Sequence, residues 1–228
     1  MRKAKYICIE GVDGTGKTTQ IKLLKEYLES KGFSVIETKE PGTPRIPLTW
    51  ELRQISLDNK NSDLIKGFAR EFIFQSIRAI HLNNDIYPLL DKVDFIIQDR
   101  GILSGLAYGM GYGMELDTLC NLNNISTTEK GKLYGINSFK DVYDHIIFFK
   151  TSQAASFLEN AKNAKSEFET GDGIEAEGAE YMNRVLINFK TAIELFDDKV
   201  IQITVEESEG KLKEKELILK EIISQLKI

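Results

Sequence analysis

Short apolar runs bounded by turn residues recur at 6–10, 34–38, 94–98, 145–149 and 200–204, with longer helical patterns between them. That alternation predicts an α/β fold with a five-stranded parallel sheet covered by helices on both faces. The first helical pattern is sharply bounded: over 17–30, Ile21, Leu24 and Leu28 fall on one stripe, and Lys31-Gly32 ends it. A similar stripe runs over 212–226. Glycine, asparagine and lysine interrupt the periodicity over 109–137 and 160–178, so both stretches read as loops beside a site. No repeat and no Pro/Gly/Ser-rich linker divides the 228 residues, and the expectation is one domain over 1–228.

Composition narrows the partners. With 42% apolar and 29% charged residues the chain has the make-up of a globular protein, and 35 acidic against 30 basic residues give a net charge of −5. A field of that sign repels polyanions, so no nucleic acid polymer is expected as a partner. Cys8 and Cys120 form neither a CxxC pair nor a zinc spacing, which points to a reducing, cytoplasmic setting. The apolar run after the basic first five residues is too short for a signal-peptide core, and nowhere do 18 apolar residues run together. No membrane partner is expected.

The strongest chemical signal follows the first apolar run directly. Gly11-Val12-Asp13-Gly14-Thr15-Gly16-Lys17-Thr18 fits GxxxxGK[ST] between a predicted strand and a predicted helix, the context that motif requires. Backbone N–H groups of such a loop converge on phosphate oxygens, and the helix N-terminus, continuing through Thr19, adds its partial positive charge. Lys17 would reach the β- and γ-phosphates of ATP or GTP and the Thr18 hydroxyl would hold Mg²⁺. The third strand ends Gln98-Asp99-Arg100, delivering a carboxylate and a guanidinium to the carboxyl edge of the sheet. There Asp99 can orient Mg²⁺ or its waters and Arg100 can clamp a phosphate in a bidentate fork.

Arg70, Phe74 and Arg78 stand four residues apart in a helical stretch and share one face. A flat ring with a guanidinium beside it suits a nucleobase, which needs a stacking partner and an in-plane donor. Aromatic stripes usually pack inward, so Phe74 is also a core candidate, but the flanking arginines argue against full burial. Phe72, Ile73, Ile77 and Ile80 are assigned to the core, and His81 and His145 to structural roles.

Taken in order, these motifs resemble the thymidylate kinases. The resemblance rests on Glu10 through Gln20, on Glu40-Pro41-Gly42-Thr43, Leu52-Arg53 and Phe74-Gln75-Ser76-Ile77-Arg78, and on Asp99-Arg100 followed by Ser104-Gly105-Leu106-Ala107-Tyr108. It implies a P-loop kinase fold with a lid, near 155–178, and transfer of a phosphoryl group from ATP-Mg²⁺ to dTMP, usually in a homodimer. It further implies that Arg53 and Arg100 grip the monophosphate, Phe74 stacks on the base and Arg78 reads a carbonyl edge. By the same resemblance Asp13 sits near the acceptor sugar or phosphate, while Tyr108 crowds the ribose 2′ position. Glu40 and Ser104 complete the acceptor set. A monophosphate oxygen is already anionic, so the attack needs alignment and charge neutralisation but no general base.

The chain also departs from that pattern. One glycine of Glu-Pro-Gly-Gly-Thr is missing and Pro44 through Trp50 intervene before Leu52-Arg53, which makes Arg45 a substitute for Arg53. Gly101 stands where an aromatic residue or histidine usually follows Asp-Arg. The P-loop carries Gly14, so catalytic arginines belong in the lid, yet that stretch offers only Lys162 and Lys165. Three alternatives remain open at this level. One is a kinase for another or 5-substituted deoxypyrimidine monophosphate, and the second a deoxyribonucleoside kinase using Glu40 as general base. The third is a nucleotide switch, against which stands the lack of an Asn-Lys-x-Asp run, or an inactive homologue, which the lid departures leave open.

Overall fold

The structure is a computed structural model, and it describes residues 3–153, 157, 178–208 and 210–228. The five predicted strands are present within a residue of their expected ends: β1 (Lys5–Glu10), β2 (Val35–Lys39), β3 (Phe95–Asp99), β4 (His145–Lys150) and β5 (Val200–Thr204). They form one parallel sheet in the order β2-β3-β1-β4-β5. Helices α1 (Lys17–Ser30), α2 (Pro47–Leu57), α3 (Phe68–His81), α4 (Tyr87–Leu89), α5 (Ile102–Gly111), α6 (Leu116–Gly131), α7 (Gly178–Ile193) and α8 (Lys215–Leu226) connect and cover it.

The period of two along each strand decides which core a residue joins. Tyr6, Cys8, Ile96, Ile146 and Phe148 face the side covered by α5 and α7. Ile7, Ile9, Ile97, Ile147 and Phe149 face the other side, against Ile21, Leu24 and Leu28 of α1 and Ile218 and Ile222 of α8. Burial on both faces explains why the central strands β1, β3 and β4 read as nearly continuous apolar runs. Register then fixes the site. Ile9 lies opposite Asp99 on one side and Ile147 on the other, so Glu10, Asp99 and the P-loop all emerge at the same carboxyl edge.

Three expectations are corrected. The stretch 109–137, expected to be loop, contains α6. That helix docks through polar bonds that an apolar periodicity cannot register: Asn123 accepts from Arg78, Ser126 donates to Gln75, and the Thr127 carbonyl accepts from Tyr87 Oη. Phe72 is 55% exposed rather than core, because α3 turns Arg70, Glu71, Gln75 and Arg78 inward instead. Leu212 lies outside the last helix. It belongs to a small hairpin, β6 (Glu206–Ser208) with β7 (Lys211–Leu212), where it pairs with Glu206. No described helix is long and apolar enough to cross a membrane.

Candidate active site

The P-loop bends as its sequence requires. Gly11, Gly14 and Gly16 take φ of 140°, 79° and 84°, values that side chains rarely adopt. At Gly11 a Cβ would also press on Phe149 of β4 at 3.1 Å. The loop is pinned by Thr15, whose hydroxyl donates to the Val12 carbonyl at 2.8 Å, and Lys17 Nζ donates to the same oxygen at 2.8 Å. Burial first, and then the Arg100 charge, lower the Lys17 pKa to about 8, against the pull of Asp13, Asp99 and Glu10. Thr18 and Thr19 are exposed in the first turn of α1.

Arg100 joins this loop to the rest of the site. Its Nη2 bonds Asp13 Oδ1 at 2.5 Å, and its Nη1 donates to the Gly11 carbonyl at 3.0 Å and to Ser104 Oγ at 3.2 Å. Its φ of 58° lies in the left-handed region, a conformation that costs a side-chain-bearing residue on the order of 1 to 3 kcal/mol and tends to occur at functional sites. The strain is offset by Glu10, which anchors the following helix. Glu10 Oε1 accepts from the Gly101 and Ser104 amides at 2.8 and 3.0 Å, and Oε2 accepts from Ser104 Oγ at 2.5 Å. A carboxylate at the start of α5 also meets the positive end of the helix dipole. Burial nonetheless raises the Glu10 pKa above its ordinary range, against the opposing bonds from Ser104 and the charges of Arg100 and Lys17.

A cavity of about 180 Å³ opens beside the P-loop, and four guanidinium groups line it: Arg53, Arg70, Arg78 and Arg100. Asp13, Glu40, Phe74, Ser104 and Tyr108 face the same space, so every acceptor residue expected from the sequence converges there. Phe74 is half-buried, with its ring available to the cavity and not packed away in the core. Arg78, 3% exposed, is fixed on two sides: Nε donates to Glu40 Oε2 at 2.8 Å and Nη1 to Asn123 Oδ1 at 2.7 Å. Its Nη2 lies toward Gly105, where a Cβ would come within 3.1 Å of it. Burial pushes the Glu40 carboxyl up, but the Arg78 charge and His81 outweigh it, and the net pKa is lowered. Glu40 is therefore held as a carboxylate by its arginine.

The two arginines in competition are separated by the structure. Arg53, on α2, lines the cavity and donates from Nη1 to the Pro41 carbonyl at 2.9 Å, beyond the cis Glu40-Pro41 bond. Arg45 points elsewhere, bonded to Asp85 in a bidentate pair at 2.7 and 2.8 Å. Trp50 lies one turn before Arg53, with the Arg53 guanidinium 5.8 Å and Lys39 Nζ 4.4 Å from its ring centroid. Tyr108 stands with its ring 5.6 Å from the Arg100 guanidinium, backed edge-on by Phe189. Lys162 and Lys165 lie outside the described residues.

Several contacts of the site escape a motif reading. Glu71, buried in the cavity wall, has its carboxyl pKa raised by burial against the Arg78 charge and a 2.6 Å bond from Gln75. Arg70 is locked by Nη1 donating to Tyr112 Oη at 2.6 Å. Glu10 and Asn123 act as anchors at sequence separations of 94 and 45 from the groups they hold. Glu10 opens the P-loop motif and Arg70 shares a helical face with Phe74 and Arg78, whereas Glu71 and Asn123 carry no signal of their own in the sequence.

Comparison with known proteins agrees with this geometry. The family model described as Thymidylate kinase matches residues 9–130, from the end of β1 nearly to the end of α6. The chain is similar to the thymidylate kinase of Maridesulfovibrio salexigens, 33% identical over 89% of this chain and 88% of that one. It is also similar to that of Prochlorococcus marinus, 34% identical over 89% and 90% of the two chains. A solved structure, thymidylate kinase from Ehrlichia chaffeensis, superposes with a TM-score of 0.70 at 23% identity over 99% of both chains, and shares the fold. With a P-loop and an arginine-lined cavity meeting at Arg100, and with these relatives covering nearly its whole length, the chain belongs to the thymidylate kinase family.

Proposed function

We propose that the protein transfers the γ-phosphoryl group of ATP to dTMP, giving ADP and dTDP. The observation that carries this reading is the junction at Arg100, where one guanidinium bonds Asp13 of the P-loop while facing the cavity that holds Phe74 and Arg78. In this reading the P-loop amides and Lys17 bind the donor phosphates, while Arg53 and Arg100 grip the acceptor phosphate. Phe74 stacks on the base and Arg78 donates to its carbonyl edge. Tyr108, pressed between Arg100 and Phe189, limits the space at the sugar. The acceptor oxygen is anionic before it attacks, so alignment between Lys17 and Arg100 supplies the catalysis.

The residues present fit Mg²⁺. Asp99 Oδ1 at the end of β3 is buried without a hydrogen-bond partner, and Thr18 exposes a hydroxyl in the first turn of α1. Among the described residues no cluster of three or more His, Cys, Asp or Glu forms a cation cage, as suits an ion held mainly by phosphates and water. Thr18 and Asp99 would hold the ion, whose chemistry is to neutralise charge on the transferred group.

The deoxyribonucleoside-kinase alternative is the weaker reading, because Glu40, its base, is paired through Oε2 with Arg78 at 2.8 Å with both side chains buried. Lys162 or Lys165 remains our candidate for neutralising the transferring group from a lid near 155–178, within a single kinase unit over 1–228. A homodimer through α3 is supported by Phe68 and Phe72, 49% and 55% exposed on its outer face, and sedimentation of Phe72→Asp tests it. Both cysteines are free, which suits the cytoplasm. The deciding experiment is ADP release from ATP-Mg²⁺ with dTMP, dUMP, 5-hydroxymethyl-dUMP, dGMP or thymidine at matched concentration. Turnover fastest with dTMP is expected; turnover with thymidine alone would overturn the reading.

A further inference from the structure

Arg100 carries both halves of the site on a backbone that a side chain seldom adopts, and its guanidinium bonds do not by themselves hold that backbone. The main chain is held from below. Gln98, two residues earlier on β3, turns its side chain along the sheet so that Nε2 donates to the Arg100 carbonyl at 2.8 Å and to Tyr143 Oη at 3.0 Å. Its Oε1 accepts from Tyr6 Oη. All three side chains are buried, and the Tyr6 and Tyr143 rings meet edge to face with centroids 4.9 Å apart.

The same cluster accounts for Gly101. Its φ of −172° is extended backbone, open to any residue, so conformation does not demand glycine there. Space does: a Cβ at 101 would collide with Tyr143 Oη and approach Gln98 Nε2 to 2.9 Å. The place beneath the strand end, which an aromatic residue after Asp-Arg would contest, is taken by a tyrosine hydroxyl arriving from the segment before β4.

We infer that Gln98, clamped between Tyr6 and Tyr143, is a positioning residue for the acceptor phosphate and acts through Arg100. A neutral amide suits this task. It fixes the Arg100 carbonyl, and with it the direction of the side chain, without competing for the guanidinium as a carboxylate would. Tyr6 and Tyr143 remove the freedom of the amide itself, since each polar atom of Gln98 has a buried partner.

The inference rests on the dTMP reading, and its test separates the two. Gln98→Met keeps the length of the side chain and removes its donor. We expect KM for dTMP to rise about tenfold, the effect of misdirecting one charge-assisted bond. KM for ATP should stay within twofold and urea unfolding should remain cooperative. In an Arg100→Lys background the same change should add less than about twofold to KM for dTMP, because coupled residues are not additive. Tyr6→Phe, which removes only a hydroxyl, keeps the inference open to refutation should Gln98→Met fail to fold; about a threefold rise in KM for dTMP supports it, and no rise overturns it. Both KM values rising together, neither rising, or a full Gln98 effect on top of Arg100→Lys each overturn the inference. A wild-type enzyme with no dTMP turnover overturns the underlying reading and the inference with it.

Discussion

Glu40→Gln puts the base-recognition arrangement to a quantitative test. Glu40 and Arg78 bond at 2.8 Å with side chains 2% and 4% exposed, so the substitution leaves a guanidinium charge in a place that water scarcely reaches. Removing one partner of such a pair costs about 3 to 5 kcal/mol. The low end, about 3 kcal/mol, is expected here, because Arg78 keeps its bond to Asn123 and the new amide still offers an oxygen. For a chain of this size that corresponds to a fall in Tm of roughly 6 to 12 °C. The pH dependence has a definite sign. The folded pKa of Glu40 is lowered from 4.5, so the ionised carboxylate stabilises above that value and its contribution is lost as pH falls through the folded pKa. The gap between wild type and Glu40→Gln should therefore be full at pH 7 and close in acid. Urea unfolding at pH 7 and at pH 3 to 4 measures it, alongside KM for dTMP, which should rise as Arg78 loses its alignment. A variant with unchanged stability and KM but no turnover would refute this reasoning and make Glu40 a chemical base.

Lys17, with a pKa of about 8, predicts that kcat/KM for ATP falls above pH 8 while kcat holds to higher pH, because bound phosphates restore the proton; pH–rate profiles check this. Arg53→Ala should raise KM for dTMP about ten- to a hundredfold, whereas Arg45→Ala, which breaks only the half-exposed pair with Asp85, should leave it unchanged. Phe74→Ala should weaken dTMP binding about tenfold through lost stacking and leave ATP binding alone, as equilibrium titration of each nucleotide would show.

What could be read in advance was whatever is local. The P-loop needs its glycines within eight residues, and the central strands, buried on both faces, announce themselves as apolar runs. Arg70, Phe74 and Arg78 were legible because helical spacing alone puts them on one face. What could not be read was which distant groups hold them. Arg78 is fixed by Glu40 and Asn123, and Asn123 lies on a helix whose inward side beyond Leu119 is asparagine, serine, threonine and glycine, so hydrophobic periodicity does not mark it. Phe72 misled for the converse reason: on α3 the inward stripe is charged because it lines a cavity, and the ring is displaced outward. Gly101 stood as an unexplained departure until Tyr143, 42 residues away, was seen to fill the space.

Trp50 gives the molecule a built-in optical gauge. It is the chain's one tryptophan, and it sits beside two cations, Lys39 at 4.4 Å and Arg53 at 5.8 Å from the ring centroid. Indole emission responds to the charge around it, and one of these charges belongs to the side chain proposed to grip the acceptor phosphate. In that reading a phosphate drawing Arg53 away from the Pro41 carbonyl would change the field at the only strong emitter. Arrival of the acceptor thus becomes visible as a spectral shift in the unlabelled protein, on the time scale of binding and independent of turnover.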